Sequence, residues 1–152
     1  MGAMALKEQL RTDLTAAMKA RDEARSSTLR MILTAITNAE VAGKQAKELT
    51  DDDVIGVLSS EAKKRREAAT AFAEAGRAEM AAKEAAEAEI ITEYLPAQLA
   101  PAEIEGIVAR AIAQTGAEDL KAMGKVMGVV TPQVRGRADG GAVAAEVRRQ
   151  LG

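Results

Sequence analysis

Leu6, Leu10, Leu14 and Met18 recur every four residues, which sets one apolar stripe on a helix from about Ala5 to Ala20. Arg21-Asp22-Glu23 breaks the pattern, and Ser26 or Ser27 supplies a capping hydroxyl for a second helix. That helix buries Leu29, Ile32, Leu33 and Ile36 and stops at Gly43, a residue that enters left-handed conformations without steric cost. Thr50 opens a third helix. Its hydroxyl caps, and Asp51-Asp52-Asp53 place three carboxylates in the first turn, where unpaired amides carry positive potential. Val54, Ile55 and Leu58 form the inward face.

Beyond Leu58 the pattern changes. From Ser59 to Glu89 the only large apolar residues are Phe72 and Met80, set among 12 Ala and 13 charged residues. This stretch is strongly helical by propensity but can bury little area. Gly76 is its only break, which predicts two long helices, about Thr50–Glu74 and Arg77–Tyr94, folded back on each other and packed through alanine. Left unbroken, the same span would extend roughly 65–70 Å, too long for so small a domain.

Tyr94-Leu95-Pro96 ends this half, because proline pushes the residue before it out of helical geometry. Pro101 suits a first helical position, with Glu103 behind it, and the helix that follows carries Ile104, Ile107, Val108 and Ile112 up to Gly116. A further helix runs from Leu120 or Lys125 to Val134 and buries Val126, Met127 and Val130. Pro132 frays or kinks its end. Arg135 to Gly141 reads as a loop, and a last helix over about Ala142–Leu151 presents Val143, Val147 and Leu151. The expected fold is all-α: an N-terminal four-helix unit over residues 4–95 with the long Ala-rich hairpin, and a C-terminal three-helix bundle over 96–152.

Composition narrows the chemistry. The 152 residues include 34 Ala but no Cys, His or Trp, one Phe and one Tyr. Disulfides, thiolate nucleophiles, Cys- or His-based metal sites and Ser-His-Asp triads are therefore excluded. Base stacking on aromatic platforms has almost nothing to use. No apolar run approaches the roughly 20 residues that span a bilayer, and no basic segment followed by an apolar stretch marks a secretory signal. The expectation is a soluble cytoplasmic protein without membrane contact. Met1-Gly2-Ala3 ahead of Met4 reads as a cloning remnant and stays outside the fold argument.

Net charge is −2, but it is unevenly spread. Glu74 to Glu93 holds six acids against two bases. Lys121 to Gly152 holds Lys121, Lys125, Arg135, Arg137, Arg148 and Arg149 against Asp139 and Glu146. Phosphate recognition needs a local basic surface, not a basic protein, and Gly124, Gly128, Gly136, Gly140 and Gly141 in the same region leave bare backbone that phosphates can approach. The candidate nucleic-acid site is Lys121, Gly124, Lys125, Arg135, Gly136, Arg137 and Gly140. Lys63-Lys64-Arg65-Arg66 is denser, but four consecutive helical residues spread around nearly a full turn, and Glu61 and Glu67 stand at pairing distance along the helix; it reads as a solvated face. Asp51-Asp52-Asp53 with Gly56 is a helix start, since Ile55 and Ala62 fall at calcium-ligand positions. Gly124-Lys125 lacks the rest of a P-loop, and Ser59-Ser60 with Lys63 lies inside a helix, where no free amides form an oxyanion hole. No cofactor motif, metal set or catalytic dyad emerges.

Several segments in order resemble the GatB/YqeY family in its free-standing YqeY form. They are Ser27-Thr28-Leu29-Arg30-Met31 with Glu40, Lys63 to Glu67, Glu84, Glu93-Tyr94-Leu95-Pro96, Met123-Gly124-Lys125-Val126-Met127 and Gly136-Arg137-Ala138-Asp139-Gly140. Together they reach from about Leu6 to Leu151. The resemblance implies an all-helical N-terminal unit joined to a three-helix C-terminal unit. It implies kinship with the tRNA-associated tail of the B subunit of glutamine-dependent tRNA amidotransferase, and with a domain appended to some glutaminyl-tRNA synthetases. The family is also linked to carbon–nitrogen ligase activity with glutamine as amido-N-donor. This chain carries neither the ATP cradle nor the amidase subunit of that enzyme, so no activity of its own is expected. Lys125 and Arg137 are the bases inside matched motifs; position 135 is Arg where the family commonly has Lys. The leading expectation is an accessory module that binds tRNA through the C-terminal unit. The alternatives are a protein-interaction module whose Ala-rich arm docks a synthetase or amidotransferase, and a glutamine-using ligase.

Overall fold

Helix starts and stops in the computed structural model, which describes residues 5–152, follow local capping chemistry. The described chain is all-helical: α1 (Ala5–Lys19), α2 (Glu23–Glu40), α3 (Asp51–Glu74), α4 (Ala78–Thr92), α5 (Pro101–Thr115), α6 (Met123–Val134) and α7 (Gly140–Leu151), with one 3-10 turn at Leu120–Ala122 before α6. Met1-Gly2-Ala3 lies outside the described residues. The chain divides into two compact units between Leu95 and Pro96. No helix among the described residues is long and apolar enough to cross a membrane.

In the first unit, α1 shows the limit of a four-residue repeat. Leu10 is fully buried and Ala17 nearly so, whereas Met18, the last residue of the expected stripe, is 47% exposed. A helix turns about 100° per residue, so a period of four drifts about 40° per step, and Ala17 faces inward in place of Met18. The link to α2 is a Schellman-type stop: the Asp22 N–H donates to the Ala17 carbonyl at 2.9 Å and the Arg21 N–H to Met18 at 3.1 Å. Arg21 takes the left-handed position, with φ 59°, which glycine usually holds. Asp22 then caps α2, its carboxylate accepting from the Arg25 N–H at 3.1 Å. The helix therefore begins at Glu23, not at Ser26 or Ser27; Ser26 is buried one turn inside. It ends at Glu40 rather than at Gly43, because the Glu40 carbonyl accepts from the Lys47 N–H as the chain turns away.

The Glu40 carboxylate takes both bonds of the Lys7 ammonium, at 2.8 and 2.9 Å, on two helices that share the core. That bond holds Glu40 below the usual carboxylate range. Thr50 caps α3 as expected, accepting from the Asp53 N–H while the Asp53 carboxylate accepts from the Thr50 N–H. Leu10, Leu29, Ile32, Ile36, Val54, Leu58 and Ile91 make the core.

The α3–α4 hairpin folds back at Gly76, as its sequence predicts. Gly76 has φ 76°, the Arg77 N–H donates to Phe72 at 2.8 Å and the Gly76 N–H to Ala73 at 3.1 Å. Both bonds of a Schellman stop are present, and only glycine adopts that φ without strain. Helix α4 stops at Thr92, two residues short of the expected Tyr94, as the Tyr94 and Leu95 N–H groups turn back to Ile91 and Thr92. Arg65 corrects the solvated reading of Lys63 to Arg66. It is the least exposed member of that run, bonded to Glu61 at 3.2 Å, within 3.9 Å of Glu84 and Glu87 on α4, and in contact with the sulfur of Met31 on α2. It ties three helices together.

The second unit packs α5, α6 and α7 around Val108, Val126, Val130, Val143 and Val147, all fully buried. The Glu103 carboxylate accepts the Ala100 N–H at 2.8 Å and so closes the start of α5 behind Pro101. Pro132 lies inside α6, which continues only two residues further. Its missing N–H leaves the Gly128 carbonyl without its i+4 donor, on the exposed side of the helix. Asp139 caps α7 by accepting from the Ala142 N–H, so α7 starts at Gly140 and the expected seven-residue loop shortens to residues 135–139.

Candidate nucleic-acid interface

Sequence periodicity fixes which way α6 presents its side chains. Val126, Val130 and Val134 are buried. At about 100° per residue, Lys125, Gly128, Pro132 and the helix-terminal Arg135 fall on the opposite, solvent face. Lys121 sits in the 3-10 turn ahead of them, its N–H accepted by the Asp119 carboxylate at 2.9 Å and its side chain exposed. Lys121 and Lys125 thus stand at one end of α6 and Arg135 at the other, about 15 Å along the axis. Cations spread along a ridge of that length suit an extended polyanion better than a single small phosphate.

The six bases of the segment do not share one role. Arg149 is committed to Glu146 at 2.5 Å and Glu105 at 3.1 Å, and Gln150 adds a bond to the same Glu146 carboxylate. The Arg149 bond is the main reason that Glu146 is held below the usual carboxylate range and Arg149 above its own. Arg137 is half-buried: its Nε donates to the Ala97 carbonyl at 3.0 Å, and its own carbonyl accepts from the Leu99 N–H at 2.8 Å. Gln98 adds a bond to the Gly136 carbonyl at 2.8 Å. Together these contacts lace the 135–139 loop to residues 96–99. Among the described residues, Lys121, Lys125, Arg135 and Arg148 carry no ion pair.

The three glycines of the expected site separate in the same way. Gly136, with φ 73°, is required by the turn itself. Gly124 and Gly140 lie at the starts of α6 and α7, where an added Cβ would meet nothing within 4 Å. Packing within the chain therefore does not explain glycine there. The structure thus brings Lys121, Gly124 and Lys125 together at one end of α6, and Arg135, Gly136, Arg137 and Gly140 around the loop at its other end. Sequence reasoning missed the lacing by Gln98, whose only signal was a polar side chain two residues past a proline.

A second polar constellation, also unforeseen, lies in the first unit. Arg25 donates two bonds to Glu93, at 2.9 and 3.1 Å, and the Tyr94 hydroxyl donates to the Asp13 carboxylate. Burial first, and then the Asp13 carboxylate, push the Tyr94 hydroxyl well above its ordinary pKa. These groups line an open cleft of about 600 Å³ with Ala16, Ala17 and Ala20, and they satisfy one another. The arrangement fastens the end of α4 to α1 and α2.

Comparison with known proteins places these observations in a family. Uncharacterized protein C22F3.15 of Schizosaccharomyces pombe is 36% identical over 92 residues, covering 60% of this chain and 72% of that protein. The Yqey-like protein family matches residues 7–151, from the first turns of α1 to the last residue of α7. Over nearly its whole length, then, the chain belongs to the Yqey-like protein family.

Proposed function

We propose that the chain is an accessory module that binds tRNA through residues 96–152, recognising folded RNA by its shape and phosphates. The observation that carries this reading is the row of exposed cations Lys121, Lys125 and Arg135, in the turn ahead of α6 and along its solvent face, which carry no ion pair among the described residues. Residues 96–152 contain no aromatic side chain, so base stacking has no platform, and shape with phosphate contact is the recognition left to such a surface. Gly124 and Gly140 leave backbone open to a close neighbour, while Gly136 and Arg137 hold the loop that presents Arg135. The family resemblance supplies the setting: delivery of tRNA to a synthetase or a glutamine-dependent amidotransferase in the cytoplasm, with the chemistry carried by that enzyme.

The test is an equilibrium titration of bulk tRNA, read by fluorescence anisotropy. The triple variant Lys121→Ala/Lys125→Ala/Arg135→Ala lowers affinity by roughly tenfold or more at moderate salt. Arg66→Ala, a cation of similar exposure in the other unit, leaves it unchanged. Equal affinities for wild type and a folded triple variant defeat the reading.

A further inference from the structure

We propose that the protein forms a two-fold dimer through the outer face of the α3–α4 hairpin, where a second copy of the chain occupies an alanine-lined groove. The distal hairpin is unusual in its burial. From Lys63 to Glu87 no residue is buried, although the span is a closely packed helix pair. Outside the contact of Arg65 with Met31 of α2, a helix pair with no buried residue leaves an apolar face unshared, which single-domain helical proteins ordinarily cover.

That face carries a groove of about 590 Å³, floored by Ala69 and Thr70 on α3 and by Ala85, Ala88 and Thr92 on α4. The threonines belong to its apolar part. The Thr70 hydroxyl donates to the Arg66 carbonyl at 3.2 Å and the Thr92 hydroxyl to the Ala88 carbonyl at 2.8 Å. With their polar atoms turned back onto the helix, both present methyl groups. Along α3 the groove is turned from α2, Arg66 standing about 100° round the helix from Arg65, which reaches Met31 of α2; at its other end the groove adjoins α2, where Arg25 holds Glu93.

The charges on its rim select the occupant. Arg66 stands on the α3 wall and Glu89 on the α4 wall; both are exposed, and among the described residues neither has an ion pair. Glu93, also on the rim, is already held by Arg25. One free cation on one wall and one free anion on the other give a neutral, self-complementary surface. A two-fold axis along the groove lays α3 of one copy over α4 of the other, so each Arg66 meets the Glu89 of its neighbour, and the same pair occurs twice. A purely basic or purely acidic partner would satisfy one wall and oppose the other. The face is small beside the roughly 800 Å² per partner of a standard interface, so the dimer is a reversible one.

Sedimentation of the full chain from about 10 μM to about 1 mM tests this. The wild type passes reversibly from monomer to dimer. Arg66→Glu and Glu89→Arg each place two like-charge pairs across the axis and weaken dimerisation by roughly tenfold. An equimolar mixture of the two variants regains wild-type affinity. In the mixed dimer the introduced glutamate faces the introduced arginine on one side, and the native Glu89 faces the native Arg66 on the other. Far-UV circular dichroism confirms that both variants are folded. A wild type that stays monomeric throughout overturns the proposal and leaves the groove to a foreign helix; a mixture no tighter than the separate variants overturns it as well. Neither result bears on tRNA binding, which rests on the other unit.

Discussion

Two sets of cations in this chain look alike on paper and behave differently in the fold. Lys63 to Arg66 is the densest basic run, yet Arg65 is turned into contact with Glu61, Glu84, Glu87 and Met31, and Lys64 pairs with Glu61 at 3.1 Å. Lys121, Lys125 and Arg135 are scattered over fifteen residues, and their side chains pair with no carboxylate among the described ones. The difference comes from what lies across from each. Helix α4 presents Glu84 and Glu87 directly to α3, whereas within residues 96–152 α5 and α7 pack on the buried face of α6 and leave its cations exposed. A density of basic residues along the chain therefore says little about binding until the facing helix is known.

Arg65 separates the two sets most strongly. Its removal leaves three partly buried carboxylates without their shared cation, so Arg65→Ala should destabilise the protein by about 2–3 kcal/mol in urea unfolding. Loss of a solvated arginine would cost under about 0.5 kcal/mol, and that result would return the run to the surface. Arg137 and Arg135 differ in the same way within the second unit. Arg137→Ala forfeits the bond to the Ala97 carbonyl and costs about 1 kcal/mol, while Arg135→Ala leaves stability unchanged and weakens only RNA binding. Equal stability losses would mean that the two adjacent bases do the same work. The smallest effect is at Arg21, whose left-handed backbone is strained for any residue with a Cβ. Arg21→Gly should stabilise by about 0.5–1 kcal/mol, read as a rise in thermal midpoint, and no change would show the strain to be absent.

The same residues show how far the sequence could be read. Thr50 and Gly76 were legible because each feature is local: a hydroxyl three residues before a carboxylate, and a glycine between two alanine-rich spans. Asp22 was hidden by its neighbour. Arg21 holds a position that normally advertises itself as glycine, so the stop before α2 had no visible marker, and the buried Ser26 drew the cap assignment instead. Met18 misled because four-residue spacing looks like a helix face but drifts off it. In the second unit Val126, Val130, Val143 and Val147 follow from periodicity, but Met127, expected inside, is only partly buried, and the buried Val134 was read as the helix end. The site is legible only in composition: nothing local distinguishes Arg137, laced to Ala97 across 40 positions, from Arg135, which projects free.

If Lys121, Lys125 and Arg135 meet phosphates as proposed, the salt dependence of tRNA affinity reports it most directly. Three phosphate contacts release counterions such that log K falls with log salt at a slope of about −2.7, a loss of about fortyfold between 50 and 200 mM. The triple variant at Lys121, Lys125 and Arg135 should bring that slope close to zero. A wild-type slope near zero, or one that the triple variant leaves unaltered, would contradict the account.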